Sequence, residues 1–190
     1  MLIRAPDLIL MKDYPGWEAY EDVLYAVYLE TVVRSNLTFC GAQLKARFIP
    51  ETRNKGYGFW HLISEAPSQD NRNEEERIPD LRRCERIRWV AWCVRHADAG
   101  ASGFSWWENR RGRETHVVLW AEKHDFAVVL AKRDTQEGER FYLLKTAYSL
   151  REHNIRKFIK ERDAWLAAKK TEAPAHCCAR ASDTPSTHGR

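Results

Sequence analysis

Hydrophobic and polar positions along the chain fall into two periods. From 17 to 34, Trp17, Tyr20, Val23, Leu24, Val27, Tyr28, Thr31 and Val32 recur at steps of three and four, which predicts an amphipathic helix. Residues 43–48, QLKARF, alternate polar and apolar as a strand does. PETRNK (50–55) is a turn, and the apolar run at 57–63 reads as extended chain. A polar stretch, 66–79, has no hydrophobic pattern and reads as a loop. Asp80 then stands as N-cap to a helix over 81–97, with Leu81, Cys84, Ile87, Ala91 and Val94 on one stripe. DAGASGFS (98–105) is a loop and WWENRRGR (106–113) a basic turn. Three strands follow, at 114–122, 126–133 and 140–148, linked by short turns. A charged helix over 150–169 carries Leu150, Ile155, Phe158, Ile159, Trp165 and Leu166 on its apolar side.

This order predicts an α+β fold. N-terminal helices pack on one face of an antiparallel β-meander, and a C-terminal helix closes the chain. Residues 1–169 form one domain. Residues 170–190 lack a core pattern and read as a disordered tail.

Composition changes this picture in three ways. The chain has 190 residues, enough for one domain with a sizeable core. It holds eight Trp, seven Tyr and seven Phe, more aromatic surface than a core of this size needs, so a groove or surface must hold some of it. Net charge is +4, a mild bias toward an anionic partner. The five cysteines form no CxxC. Cys84 and Cys93 read as small apolar fillers on a helix, and His176-Cys177-Cys178 lies in the tail. No disulfide framework, metal site or cofactor motif stands out. No apolar run approaches membrane-spanning length, and a reducing cytoplasm is the expected location. Glycine-rich nucleotide loops, HExxH and GxSxG are absent from the sequence.

The candidate chemistry starts at KGYGFWHLISE (55–65). His61 sits there between Phe59, Trp60, Leu62 and Ile63, a frame able to hold an imidazole for proton transfer. The plain alternative is a core histidine. FWHLISE, DLRRCERIRW, VVLAKR and FYLLKTAY, in that order, resemble a group of phage- and mobile-element-encoded nuclease domains. That group unites barnase, EndoU, the colicin D-type toxins and RelE. The resemblance covers about 17–160. It implies helices on a four-stranded antiparallel sheet and metal-independent RNA cleavage by the substrate 2′-OH.

Residue by residue, the resemblance implies an acid–base role for His61. It assigns transition-state stabilisation to the arginine helix, with Arg83 and Arg86 favoured and Arg82 as a substrate contact. Lys132 and Arg133 end a strand and face opposite sides, so one of them can contact substrate. Thr146 and Tyr148 share a strand face. The opposite face, Phe141, Leu143, Lys145 and Ala147, reads as the core side. Trp106, Trp107, Arg110, Arg111 and Arg113 mix rings and charge but read more simply as tryptophans under a loop. His96, His116, His124 and His153 have no ligand spacing and receive no role. The expected function is an endoribonuclease, a toxin or phage-associated effector, with RNA as substrate and an antitoxin or immunity protein as partner. The rivals are a non-catalytic nucleic-acid-binding module and a phage structural or protein-interaction protein.

Overall fold

The computed structural model describes residues 3–66 and 76–172. Helix α1 is Trp17–Tyr28, and its last turn widens into a π turn at Leu29–Val33. Strands β1 (Thr38–Phe39) and β2 (Ala42–Ala46) make a hairpin, and β3 (Glu51–Thr52) with β4 (Lys55–Gly56) make a second small one. Helix α2 (Tyr57–Ile63) follows at once. Then β5 (Ser64–Glu65) pairs with β6 (Ile78–Pro79). Helices α3 (Leu81–Glu85) and α4 (Trp89–Asp98) lead into β7 (Phe104–Arg111), β8 (Glu114–Ala121), β9 (Phe126–Asp134), β10 (Arg140–Ser149) and α5 (Glu152–Glu172).

The fold is α+β. The main sheet runs β1-β2-β10-β9-β8-β7. Strands β7 to β10 form an antiparallel meander, and β2 joins β10 in parallel. Two faces result. Val117, Leu119, Val128, Leu130, Tyr142, Leu144 and Ala147 point into the main core, where α1, α2, α3 and α4 pack. Trp107, Val118, Trp120 and Ala127 point to the other side and pack against Phe158 of α5. The C-terminal helix therefore covers the second face, not the face shared by the other helices.

Four local expectations need correction. Residues 57–63 are helical, not extended. Gly58, Phe59, Trp60, Leu62 and Ile63 are all buried, so the segment has no exposed face to give it a period. The helix expected over 81–97 is broken at Arg86, where φ −104°, ψ 15° ends α3, although Asp80 caps its start by accepting from the Arg82 N–H at 2.9 Å. Residues 106–111 belong to β7 rather than to a turn, and Trp107 is fully buried. On β10 the core side is Tyr142, Leu144 and Ala147. A bulge after Leu144 leaves Lys145 without a partner on β9 and shifts the alternation by one. Residues 170–172 continue α5, and the remainder of the expected tail, with His176, Cys177 and Cys178, lies outside the described residues, as do residues 67–75 of the expected loop. Cys84 and Cys93 are buried thiols, each pushed up to about 12 by desolvation.

Gly58 lets α2 lie against the chain after β2. Its N–H donates to the Arg47 carbonyl at 2.7 Å. A Cβ there would stand 2.9 Å from that carbonyl oxygen and 2.9 Å from the Tyr28 hydroxyl. The obstructing carbonyl is backbone, so the helix must move. Gly58→Ala is expected to destabilise the protein by about 1–3 kcal/mol, the usual range for overpacking. A thermal melt checks this, and an unchanged midpoint would mean α2 has slack.

Candidate functional site

Helix α2 has no side-chain N-cap, so backbone supplies its first partners. The Tyr57 and Gly58 N–H groups donate to the carbonyls of Phe48 and Arg47. At the other end, the Ile63 carbonyl accepts from the Asp80 N–H at 2.8 Å, and the His61 carbonyl accepts from Thr146 Oγ1 at 3.0 Å. The last bond pins the His61 backbone to β10. The half-buried His61 ring stacks on Tyr57, with centroids 4.1 Å apart and planes at 26°. A ring so flanked keeps a fixed heading.

A cavity of about 270 Å³ opens on the second face of the sheet. His61, His116, Lys145, Thr146 and Tyr148 line it, with Arg111 at its edge. Val118, Val129 and Phe158 form an apolar floor and Glu161 closes one side. Sheet register explains the gathering. His116 and Val118 alternate inward on β8, and Thr146 pairs with Val129. The bulge at Lys145 turns its ammonium into the same space.

Glu114 is the electrostatic hub beside this cavity. Its carboxylate stands 3.1 Å from His116 Nε2, forms an ion pair with Arg133, and lies 3.8 Å from Lys145 Nζ. The His116 hydrogen bond, with Arg133 and Lys145 adding to it, holds the carboxyl below the usual carboxylate range. Burial pushes the Tyr148 phenol up, against the pull of Arg111 and Arg83, so it remains a hydrogen-bond donor at neutral pH. An ordinary glutamate has a pKa of about 4.3. A depressed value means Glu114 favours the folded state above that pH and loses the contribution as pH falls through the depressed value. Glu114→Gln should therefore flatten the fall of melting temperature on acidification below about pH 4.5. Parallel acid profiles for the two proteins would contradict this.

Of the residues singled out in the sequence, His61, Thr146 and Tyr148 meet in the cavity. Arg83 stands next to it. Its guanidinium donates to the Ser64 carbonyl at 3.1 Å, to Thr146 Oγ1 at 3.3 Å and to Glu65 Oε1 at 2.9 Å, and lies 5.7 Å from the centre of the Tyr148 ring. It ties α3, β5 and β10 together and orients Thr146. Arg86 turns elsewhere, bonding Glu85 and the Arg82 carbonyl and lying over Trp89. Of the strand-end pair, Lys132 faces the main-core side and pairs with Glu108 at 2.8 Å, while Arg133 faces the cavity side through Glu114. Arg82 lines a neighbouring, wider cavity.

The sequence reading gave His116 no role, set Arg111 aside with the tryptophan–arginine stretch, put Lys145 on the core side and passed over Glu114. His116 carried a usable signal. In ETHVVLWA it stands two and four residues before Val118 and Trp120, and so shares their face of the strand. Among the described residues, no group of three His, Cys, Asp or Glu stands close enough to hold a metal ion. Nor is any helix among them long and apolar enough to cross a membrane.

Comparison with known proteins adds nothing to the geometry: no family model, curated protein or solved structure matches the chain.

Proposed function

We propose that this protein is a metal-independent endoribonuclease that cleaves RNA by attack of the substrate 2′-OH. The observation that carries this reading is the shared cavity of His61 and His116, with Lys145 and Thr146 between them on β10. Such cleavage needs one group to take the 2′-OH proton and another to protonate the leaving 5′-oxygen, and two imidazoles can divide that work near neutral pH. His116 is the general base. Its Nε2 faces the Glu114 carboxylate, which fixes the ring and, by accepting the Nε2 proton, leaves Nδ1 as the nitrogen that takes a proton. His61 is the general acid. Lys145 offers a compact charge to the phosphorane oxygens, and Arg111 offers a forked pair of donors. Thr146 and the protonated Tyr148 add hydroxyls for phosphate or ribose.

The resemblance of FWHLISE, DLRRCERIRW, VVLAKR and FYLLKTAY to phage- and mobile-element-encoded nuclease domains supports a toxin or effector setting. An antitoxin or immunity protein would then be the natural inhibitor.

A chimeric oligonucleotide tests the chemistry. Cleavage should occur at a single ribonucleotide placed in a DNA strand and stop when that residue is made 2′-deoxy. Cleavage that survives the 2′-deoxy change would remove the proposal.

One observation favours a second reading, a non-catalytic nucleic-acid-binding module. His116 Nε2 already stands 3.1 Å from Glu114, the arrangement of a structural imidazole, while the exposed Arg82 can hold a phosphate with no proton transfer. That reading expects salt-dependent binding with no cleavage and no effect of His61→Ala.

A further inference from the structure

A second and wider cavity, of about 1120 Å³, adjoins the first, and Tyr148 lines both. The turn into α3 forms one wall and the start of α5 the other. Among the described residues, two of its cations stand free of protein partners. Arg83, Arg86, Lys132 and Arg133 are all tied to carboxylates. The Arg82 and Arg151 side chains are exposed, and among the described residues neither guanidinium has an ion-pair or hydrogen-bond partner. The same lining holds Ile78 and Leu81, large apolar side chains that are 59% and 46% exposed. Glu65 and Asp80 also stand there, but Arg83 lies 2.9 Å from the first and 3.6 Å from the second and offsets one of the two negative charges.

Unpartnered guanidinium groups beside apolar side chains and a tyrosine ring suit a single nucleic-acid strand. The cations take phosphates, and the apolar surface and ring take unstacked bases. Small-molecule clefts span about 300–1,000 Å³, so this volume fits a stretch of chain better than one small ligand. We propose that this trough holds the nucleotides flanking the scissile phosphate. The substrate is then a single RNA strand of several nucleotides lying across Tyr148, with Arg82 and Arg151 on its backbone. Bases in a duplex are stacked on one another and are not free to stack on the ring. The proposal rests on the ribonuclease reading and names the form of its substrate.

Fluorescence anisotropy of a labelled single-stranded hexaribonucleotide tests it, using the full chain carrying His61→Ala to prevent turnover. Adding Arg82→Ala and Arg151→Ala should make the plot of log affinity against log salt shallower by about 1.4, because each phosphate contact on a single strand contributes about 0.7. The control pair Arg34→Ala and Arg95→Ala lines neither cavity and should leave the slope as it was. An unchanged slope in the Arg82/Arg151 variant, no binding at all, or equally tight binding of the matching duplex overturns the proposal. RNA cleavage by the native protein is scored separately. Cleavage with an unchanged slope keeps the ribonuclease and removes the trough. A reduced slope without cleavage keeps the trough as an RNA-binding surface and removes the ribonuclease.

Discussion

Alanine in place of either His61 or His116 should lower the rate of RNA cleavage by about 10²–10⁴-fold, the usual contribution of a positioned acid or base. The two losses should not multiply in the double variant, because proton removal and proton delivery serve one displacement. The pH dependence separates them. A base and an acid acting together give a bell-shaped profile, and each single variant should lose one limb of it. His61 is half-buried on a Tyr57 stack and His116 is bound to Glu114, so neither ring carries the core. His61→Ala should keep the native melting behaviour, and His116→Ala should lose no more than its bond to Glu114 contributes. A drop in rate accompanied by a large drop in melting temperature would mean the histidines are structural.

Trp107→Ala should be the most damaging change to stability, at about 3–5 kcal/mol. The indole is fully buried beneath α5. It meets Phe158 edge-on, with centroids 5.3 Å apart at 88°, and Trp120 at 6.4 Å and 85°. Nothing else in the second face replaces that volume, since Val118, Ala127 and Leu150 are small beside it. For a chain of this length the loss corresponds to roughly 6–20 °C in melting temperature. It also reaches the site, because Phe158 is part of the cavity floor and Glu161, one turn further on, is a wall. Limited proteolysis should therefore cut first within 152–172. A variant that melts like the native protein would show that α5 is held by its ion pairs alone, such as Arg162 with Glu122.

The meander was legible because VVLWA, FAVVLA and FYLLKTAY combine β-branched and aromatic residues between short polar turns. The first helix was legible because its period is sustained for five turns. Helix α2 was not. A helix of seven residues with five of them buried has no polar side to set a phase, and Gly58, with Gly56 just before the helix, looks like a turn residue until it is seen against the Arg47 carbonyl. The bulge at Lys145 was equally hidden. An extra residue in one strand leaves no mark in composition, yet it places Leu144 and Ala147 on the same side and sends Lys145 to the site. For the site, His61, Thr146 and Tyr148 could be found singly. Their convergence with His116 and Lys145 could not, because it depends on the register of β8 against β9 and of β9 against β10. Arg83 illustrates the limit of a charge pattern. Its place in an arginine run suggested a phosphate ligand, and its hydrogen bonds to Ser64, Glu65 and Thr146 make it a brace.

The most direct measurement is incubation of the purified protein with RNA in excess EDTA, with the new 3′ ends identified by mass spectrometry. The two-histidine site requires cleavage under these conditions, 2′,3′-cyclic phosphate termini, and loss of both in His61→Ala and His116→Ala. Intact RNA, or cleavage that persists in both histidine variants, would contradict it.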